Sequence, residues 1–167
     1  YYSVIAASTS CRLLPSMTSA TPAPASVNAV SAAVTSRLDD VGSALVQAAD
    51  RLLRHEGAAA LTVRRIATEA GVSTMNVYSR FGGKDGVVEH LYLQGFELLA
   101  AGMRAIDTTD DPLADLTRCG QAYRHFALEH ATLYAVMFER VVADYEPSEH
   151  ARDAALGTLG LLADRLQ

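Results

Sequence analysis

A single glycine set between two short apolar-periodic stretches constrains this chain more than any other feature. From Leu61 to Asp85 the sequence reads LTVRRIATEAGVSTMNVYSRFGGKD. Thr62 stands where a helix N-cap belongs, and Val63, Ile66, Ala67 and Ala70 follow at helical spacing, leaving Arg64, Arg65, Thr68 and Glu69 toward water. Gly71 supplies the left-handed backbone that a sharp corner between helices needs. Val72 then fills the angle, and Ser73 is placed to cap a second helix of about two turns. On that helix Val77 and Phe81, four apart, face inward, and the remaining residues project elsewhere.

So short a helix with so few apolar residues is not stabilised by burial alone, and its outer face has the chemistry of a reader. Thr74 and Asn76 can hydrogen-bond base edges, Met75 can touch thymine methyls, and Tyr78 and Arg80 can reach phosphates. Gly82-Gly83-Lys84 adds a cation and backbone N–H groups beside the start of the next helix, a suitable phosphate clamp. Taken as periodicity and turn chemistry alone, the same run serves equally as an ordinary helix corner in an all-α bundle.

The residues say more than the periodicity. Leu61-Thr-x-Arg-x-Ile-Ala-x-x-Ala-Gly-Val-Ser, followed by Val77-Tyr78-x-x-Phe81 and Gly82-Gly83-Lys84-Asp85, resembles the DNA-binding domain of TetR-family transcriptional regulators. Residues 38–57 resemble the family's first helix, and Ala122 to Phe138 resembles a regulatory domain of one branch. The resemblance implies DNA contacts at Arg64, Thr74, Met75, Asn76, Tyr78, Arg80 and Lys84. Of these, Arg64, Tyr78, Arg80 and Lys84 are expected on phosphate, and Thr74, Met75 and Asn76 on bases. Family members usually carry histidine where Arg80 stands, and arginine suits a phosphate equally. The resemblance further implies a homodimer on a palindromic double-stranded DNA operator, released when a small-molecule effector fills the body.

Charge distribution agrees with a DNA-facing end. The chain of 167 residues carries a net charge of −5, but from Ser36 to Lys84 basic residues outnumber acidic ones, whereas the rest is strongly acidic. Solvated acidic helix faces account for that acidic half equally well. Half the residues are apolar, enough for one substantial core, and no stretch is long enough to span a bilayer. Cys11 and Cys119 have no metal or redox spacing, so a reducing cytoplasm is expected. The five histidines, His55, His90, His125, His130 and His150, show no metal-ligand spacing, and neither metal nor cofactor is expected.

No strand pattern occurs anywhere, so the expected class is all-α: a three-helix helix-turn-helix domain over residues 37–84 joined to a helical ligand-binding and dimerisation domain over residues 85–167. Residues 1–36, rich in Ser, Ala and Pro, read as a disordered tail with a nascent helix around Val27 to Val34. The first helix should run from Asp39 or Asp40 to His55 and stop at Gly57. A long helix from Asp85 to about Ile106 would couple reader and body. Asp111 should cap the next, with Pro112 at its first position and Leu116, Cys119, Tyr123, Phe126 and His130 as its buried stripe. Thr132 to Val142 should contribute Leu133, Val136, Met137 and Val141 to the same interior, and Pro147-Ser148 should open a helix still running at Gln167. Because the family usually continues for one or two further helices, the regulatory domain reads as truncated.

In the body, Tyr92, Phe96, Met103 and Cys119 with Tyr123, Phe126, His130, Tyr134 and Met137 form the expected ligand pocket, flexible Met and amphipathic Tyr being suited to a medium-sized apolar ligand. A filled bundle core is the other use of the same residues. A second functional class, a helical binding or enzymatic module with an incidental corner, would need paired carboxylates, a nucleophile with its base, or a metal cluster. Glu129 and His130 do not supply one, since neighbours on a helix point about 100° apart. A regulator that has lost DNA binding is a third reading.

Overall fold

A computed structural model of the protein describes residues 38–164, which contain seven α-helices and no strand. They are α1 (Asp40–Glu56), α2 (Val63–Glu69), α3 (Thr74–Phe81), α4 (Lys84–Arg104), α5 (Pro112–Glu129), α6 (Ala131–Phe138) and α7 (Glu149–Asp164), with a short 3₁₀ turn, Ala58–Ala60, after α1. The expected N-terminal tail and the last three residues lie outside the described part.

Four of the helices begin at a side-chain cap, and α2 also ends at a glycine. The Asp39 carboxylate accepts from Gly42 N at 2.7 Å and caps α1. Thr62 Oγ1 accepts from Arg65 N and caps α2. Asp111 accepts from Leu113 N and Ala114 N, with Pro112 opening α5 where a missing N–H costs nothing. Ser148 caps α7 through Ala151 N. At the corner after α2, Gly71 has φ +71°, Val72 N donates to Ala67 O at 2.9 Å, and Gly71 N donates to Thr68 O at 3.1 Å. That pair of bonds is the Schellman arrangement, which satisfies two carbonyls that the helix end would otherwise strand.

The long helix α4 organises the molecule, packing against α1 and α3 on one side and α5, α6 and α7 on the other. Its inward residues Val87, Val88, Leu91, Leu98 and Leu99 join Leu45, Leu52, Ile66 and Val77 from the first three helices and Leu133 and Val136 from α6 in one continuous core. Fully burying each such side chain stabilises the fold by about 1.5–3 kcal/mol. Two crossings are closest. A Cβ at Gly86 would collide with the Phe81 carbonyl oxygen, so the end of α3 lies directly on the first turn of α4. A Cβ at Gly95 would meet the Met137 thioether.

Four expectations differ from the structure. Ser73 does not cap α3: its hydroxyl accepts instead from the Asn76 side chain at 3.1 Å. Leu116 is exposed, and its neighbour Asp115 is the buried residue, 2% exposed. Its carboxylate accepts from Thr109 N and Thr109 Oγ1, both at 2.8 Å, and pairs with Arg118, so a charge replaces the expected leucine. The third helix of the body ends at Phe138, and Val141 is exposed while Val142 and Tyr145 turn inward. Finally, the aromatic residues expected to line a pocket pack largely on one another.

Candidate DNA-reading face and ligand cavities

Helix α3 is held from one side only. Val77 is fully buried and Phe81 rests on the core, its ring meeting His90 edge-on at 5.9 Å. The opposite side carries Thr74, Met75 and Tyr78, with Met75 69% and Tyr78 55% exposed. Three apart on one helix, Met75 and Tyr78 stand on the same exposed face. Arg64 on α2 is exposed and has no ion-pair partner among the described residues. Lys84 opens α4, its Nζ 3.8 Å from Asp85 Oδ1.

Other charges on this end are already committed. Arg51 on α1 meets Glu69 at the end of α2 at 2.9 Å, and Arg65 pairs with Glu56, so two ion pairs brace α2 against α1. Arg80 is more fully occupied. Its Nε donates to both Asp39 oxygens at 3.0 and 3.1 Å, its Nη2 donates to Asp39 Oδ2 at 2.6 Å, and its Nη1 donates to Asn76 Oδ1 at 2.7 Å. Asn76 in turn donates its amide to Ser73 Oγ. Two of the expected DNA contacts, Arg80 and Asn76, therefore sit in a chain of hydrogen bonds that begins at the cap of α1. The Arg80 guanidinium, followed by the Gly42 N–H, pulls the Asp39 carboxyl down to about 2. Asp39 is the site residue that sequence reasoning missed. Its role as a cap is visible locally; its partner on α3 is not.

In the body, Tyr92, Phe96, Met103, Cys119, Phe126 and Met137 are buried, and Tyr123 and Tyr134 are half-buried. Tyr92 packs on Phe96 at 4.9 Å, Phe96 on Phe138 at 5.5 Å, and Phe138 on Tyr134 at 4.9 Å. The Tyr123 and Tyr134 hydroxyls lie 3.4 Å apart, and burial with that hydrogen bond raises the Tyr123 hydroxyl to about 12. These rings pack on one another, and Tyr92 and Phe138 also border the smaller of two cavities.

Two cavities flank this cluster. The larger, about 460 Å³, lies between α1, α4 and the α5–α6 corner; of the nine expected pocket residues it takes only His130. The smaller, about 380 Å³, is bounded by α6, the following loop and the start of α7, and takes Tyr92 and Met137. Ser148 ties that loop to α4, its hydroxyl donating to Glu89 Oε1 at 2.8 Å and its N–H to Glu89 Oε2 at 3.2 Å. Among the described residues no group of three or more His, Cys, Asp or Glu could hold a metal ion, and no helix is long and apolar enough to cross a membrane.

A Gly-cornered helix pair with an exposed polar and aromatic second helix, set on an all-α body through one long helix, is the architecture of a helix-turn-helix regulatory protein. Sequence comparison agrees at both ends: residues 45–91 match bacterial regulatory proteins of the tetR family, and residues 116–167 match the tetracyclin repressor-like C-terminal domain. The chain belongs to the TetR family. No curated protein matches it.

Solved structures that share the fold include the following three. The protein SCO4313 is 23% identical, with 87% of this chain and 64% of that chain covered and a TM-score of 0.62. PfmR, a TetR-family transcriptional regulator from Thermus thermophilus, is 20% identical, with 73% and 65% covered and a TM-score of 0.60. A protein from Shewanella sp. PV-4 assigned to the tetR transcription regulators is 24% identical, with 76% and 68% covered and a TM-score of 0.62. The present chain thus spans less than two thirds of the length of the first two.

Proposed function

We propose that this chain is a transcriptional repressor that binds a palindromic operator as a homodimer in the cytoplasm and is released by a small-molecule effector, with no catalytic step of its own. Residues 37–84 act as the reading head and residues 85–167 as the effector-binding and dimerising body. The observation that carries the reading is the outer face of α3, where Thr74, Met75 and Tyr78 stand exposed on a helix anchored by Val77. Thr74, Met75 and Asn76 read base edges in the major groove; Arg64, Tyr78, Arg80 and Lys84 hold phosphates on either side. For Arg80 to do so, it exchanges the Asp39 carboxylate for a phosphate.

Helix α4 carries the signal, because it touches both α3 and every helix of the body. Release requires that effector favour one spacing of the two reading heads by about 1–3 kcal/mol or more. Selection from a random duplex library at moderate salt tests the proposal. Recovery of a palindrome supports it; a folded helical chain that enriches no sequence, alone or extended at its C-terminus, contradicts it.

A further inference from the structure

Arg80 and Asn76 lie one turn apart on the reading helix, and their contact fixes more than a charge. The guanidinium carries only donors, so the Asn76 amide atom that it meets at 2.7 Å is the oxygen, Oδ1. The amide nitrogen is thereby turned the other way, toward Ser73, whose hydroxyl accepts from Nδ2 at 3.1 Å. A flipped amide would set its NH2 group against the Arg80 donors and forfeit the bond. Ser73, which makes no cap bond to α3, has this use instead. Asn76 is thus tethered at both ends of its amide, by the residue three before it and the residue four after it, the positions that share its face of the helix. An asparagine without such tethers rotates broadly about its last side-chain torsion.

The tethers use half of what the amide offers. One N–H of Nδ2 and one lone pair of Oδ1 remain, enough to meet a base edge that sets an acceptor beside a donor, as N7 and the N6 amino group of adenine do.

Arg80 meets its two partners on different edges. Nε and Nη2 face Asp39 at 2.6 to 3.1 Å, and Nη1 faces Asn76. A backbone phosphate that takes the place of Asp39 engages the Nε and Nη2 edge, which fits two oxygens, and leaves Nη1 on Asn76. The bond to Asn76 lies within α3, so it does not need Asp39 as the other partner. On the reading of the chain as an operator-binding regulator, on which this step rests, we infer that Arg80 is a positioning residue: besides its phosphate contact, it holds the Asn76 amide in the orientation that reads a base pair. Grip on the backbone and aim at the base are then one arrangement, made by one guanidinium.

The test separates discrimination from affinity. Duplexes carrying the selected palindrome, varied one base pair at a time, are titrated with the full chain at fixed salt, and discrimination at each position is the ratio of the affinities. Asn76→Ala identifies the pair that Asn76 reads, by a loss of discrimination of roughly tenfold there. Arg80→Met keeps the aliphatic stem and removes every donor. It should weaken all duplexes through the lost phosphate contact, and in addition lower discrimination about fivefold at that same pair, leaving the pairs read by Thr74 and Met75 unchanged. In the double variant the loss at that pair should equal the loss in Asn76→Ala alone, since no amide is left to orient. Unchanged discrimination at the Asn76 pair in Arg80→Met overturns the role, as do equal losses at every pair read by α3, the mark of a displaced helix, and losses that multiply in the double variant. Selection that enriches no duplex removes the regulator reading itself, whereas an operator on which Arg80→Met alters affinity alone removes only this role.

Discussion

Asp39 and Arg80, 41 residues apart in sequence, meet through a two-pronged ion pair that ties the cap of α1 to the last turn of the reading helix. The carboxylate grips the guanidinium in the bidentate manner in which a phosphate would. Asp39→Asn keeps the capping ability, since Asn caps as well as Asp, and removes only the charge. The variant should bind duplex DNA several-fold more tightly at every sequence. Fluorescence anisotropy across a salt series measures this; affinity that falls or stays equal would show that Arg80 does not transfer to DNA.

The same pair sets an acid response. The Asp39 carboxyl is lowered to about 2 in the folded chain from its ordinary 3.8. A depressed folded value contributes stability that is complete above the unfolded value and is lost as pH falls through the folded one. The stability difference between the natural chain and Asp39→Asn should therefore be constant from neutrality to about pH 5 and shrink between about pH 4 and pH 2. Urea unfolding at a series of pH values checks it.

Phosphate and base contacts should separate in mutants. Lys84→Ala should weaken all duplexes alike and reduce the salt slope by about 1. Asn76→Ala should relax preference at one base position at a cost of roughly 1–3 kcal/mol. Identical behaviour of the two across a set of operator variants would refute the division of roles.

Two glycines of α4 should respond unequally to alanine. At Gly86 the new methyl meets the Phe81 backbone carbonyl, which cannot step aside, so Gly86→Ala should cost about 1–3 kcal/mol or more. At Gly95 it meets the Met137 thioether, a flexible chain end that can swing away, so the loss should be smaller. Thermal unfolding followed by circular dichroism ranks them.

Ser148 both caps α7 and holds Glu89 of α4. Ser148→Ala should lower stability by about 0.5–2 kcal/mol through the lost cap. A double-mutant cycle with Glu89→Gln should show a coupling of at least about 0.5 kcal/mol, because the two side chains share the hydrogen bond.

What the sequence made legible was what depends on near neighbours. The Gly71 corner, the Thr62 and Asp111 caps and the spans of α1, α3 and α5 all follow from residues within a few positions of one another. Ser73 shows the limit even there: its hydroxyl could serve the backbone or Asn76, and only the rotamer of Asn76 decides. On α5, apolar spacing selected Leu116, yet Asp115 lies inward because Thr109, six residues earlier on a different segment, satisfies its carboxylate. Composition identified the Tyr, Phe and Met residues of the body but not which of them pack ring on ring and which border a cavity. Arg80 was expected on phosphate, and its engagement by Asp39 arises only when α1 and α3 are brought together.

Between Gly86 and the Phe81 carbonyl there is no room for even a methyl group, so the reading helix and the root of the long helix form a joint without play. The contact between α3 and α4 at this point is backbone on backbone, with no soft side chain between them. On the proposed reading, Met75 and Tyr78, exposed on α3, move with the root of α4.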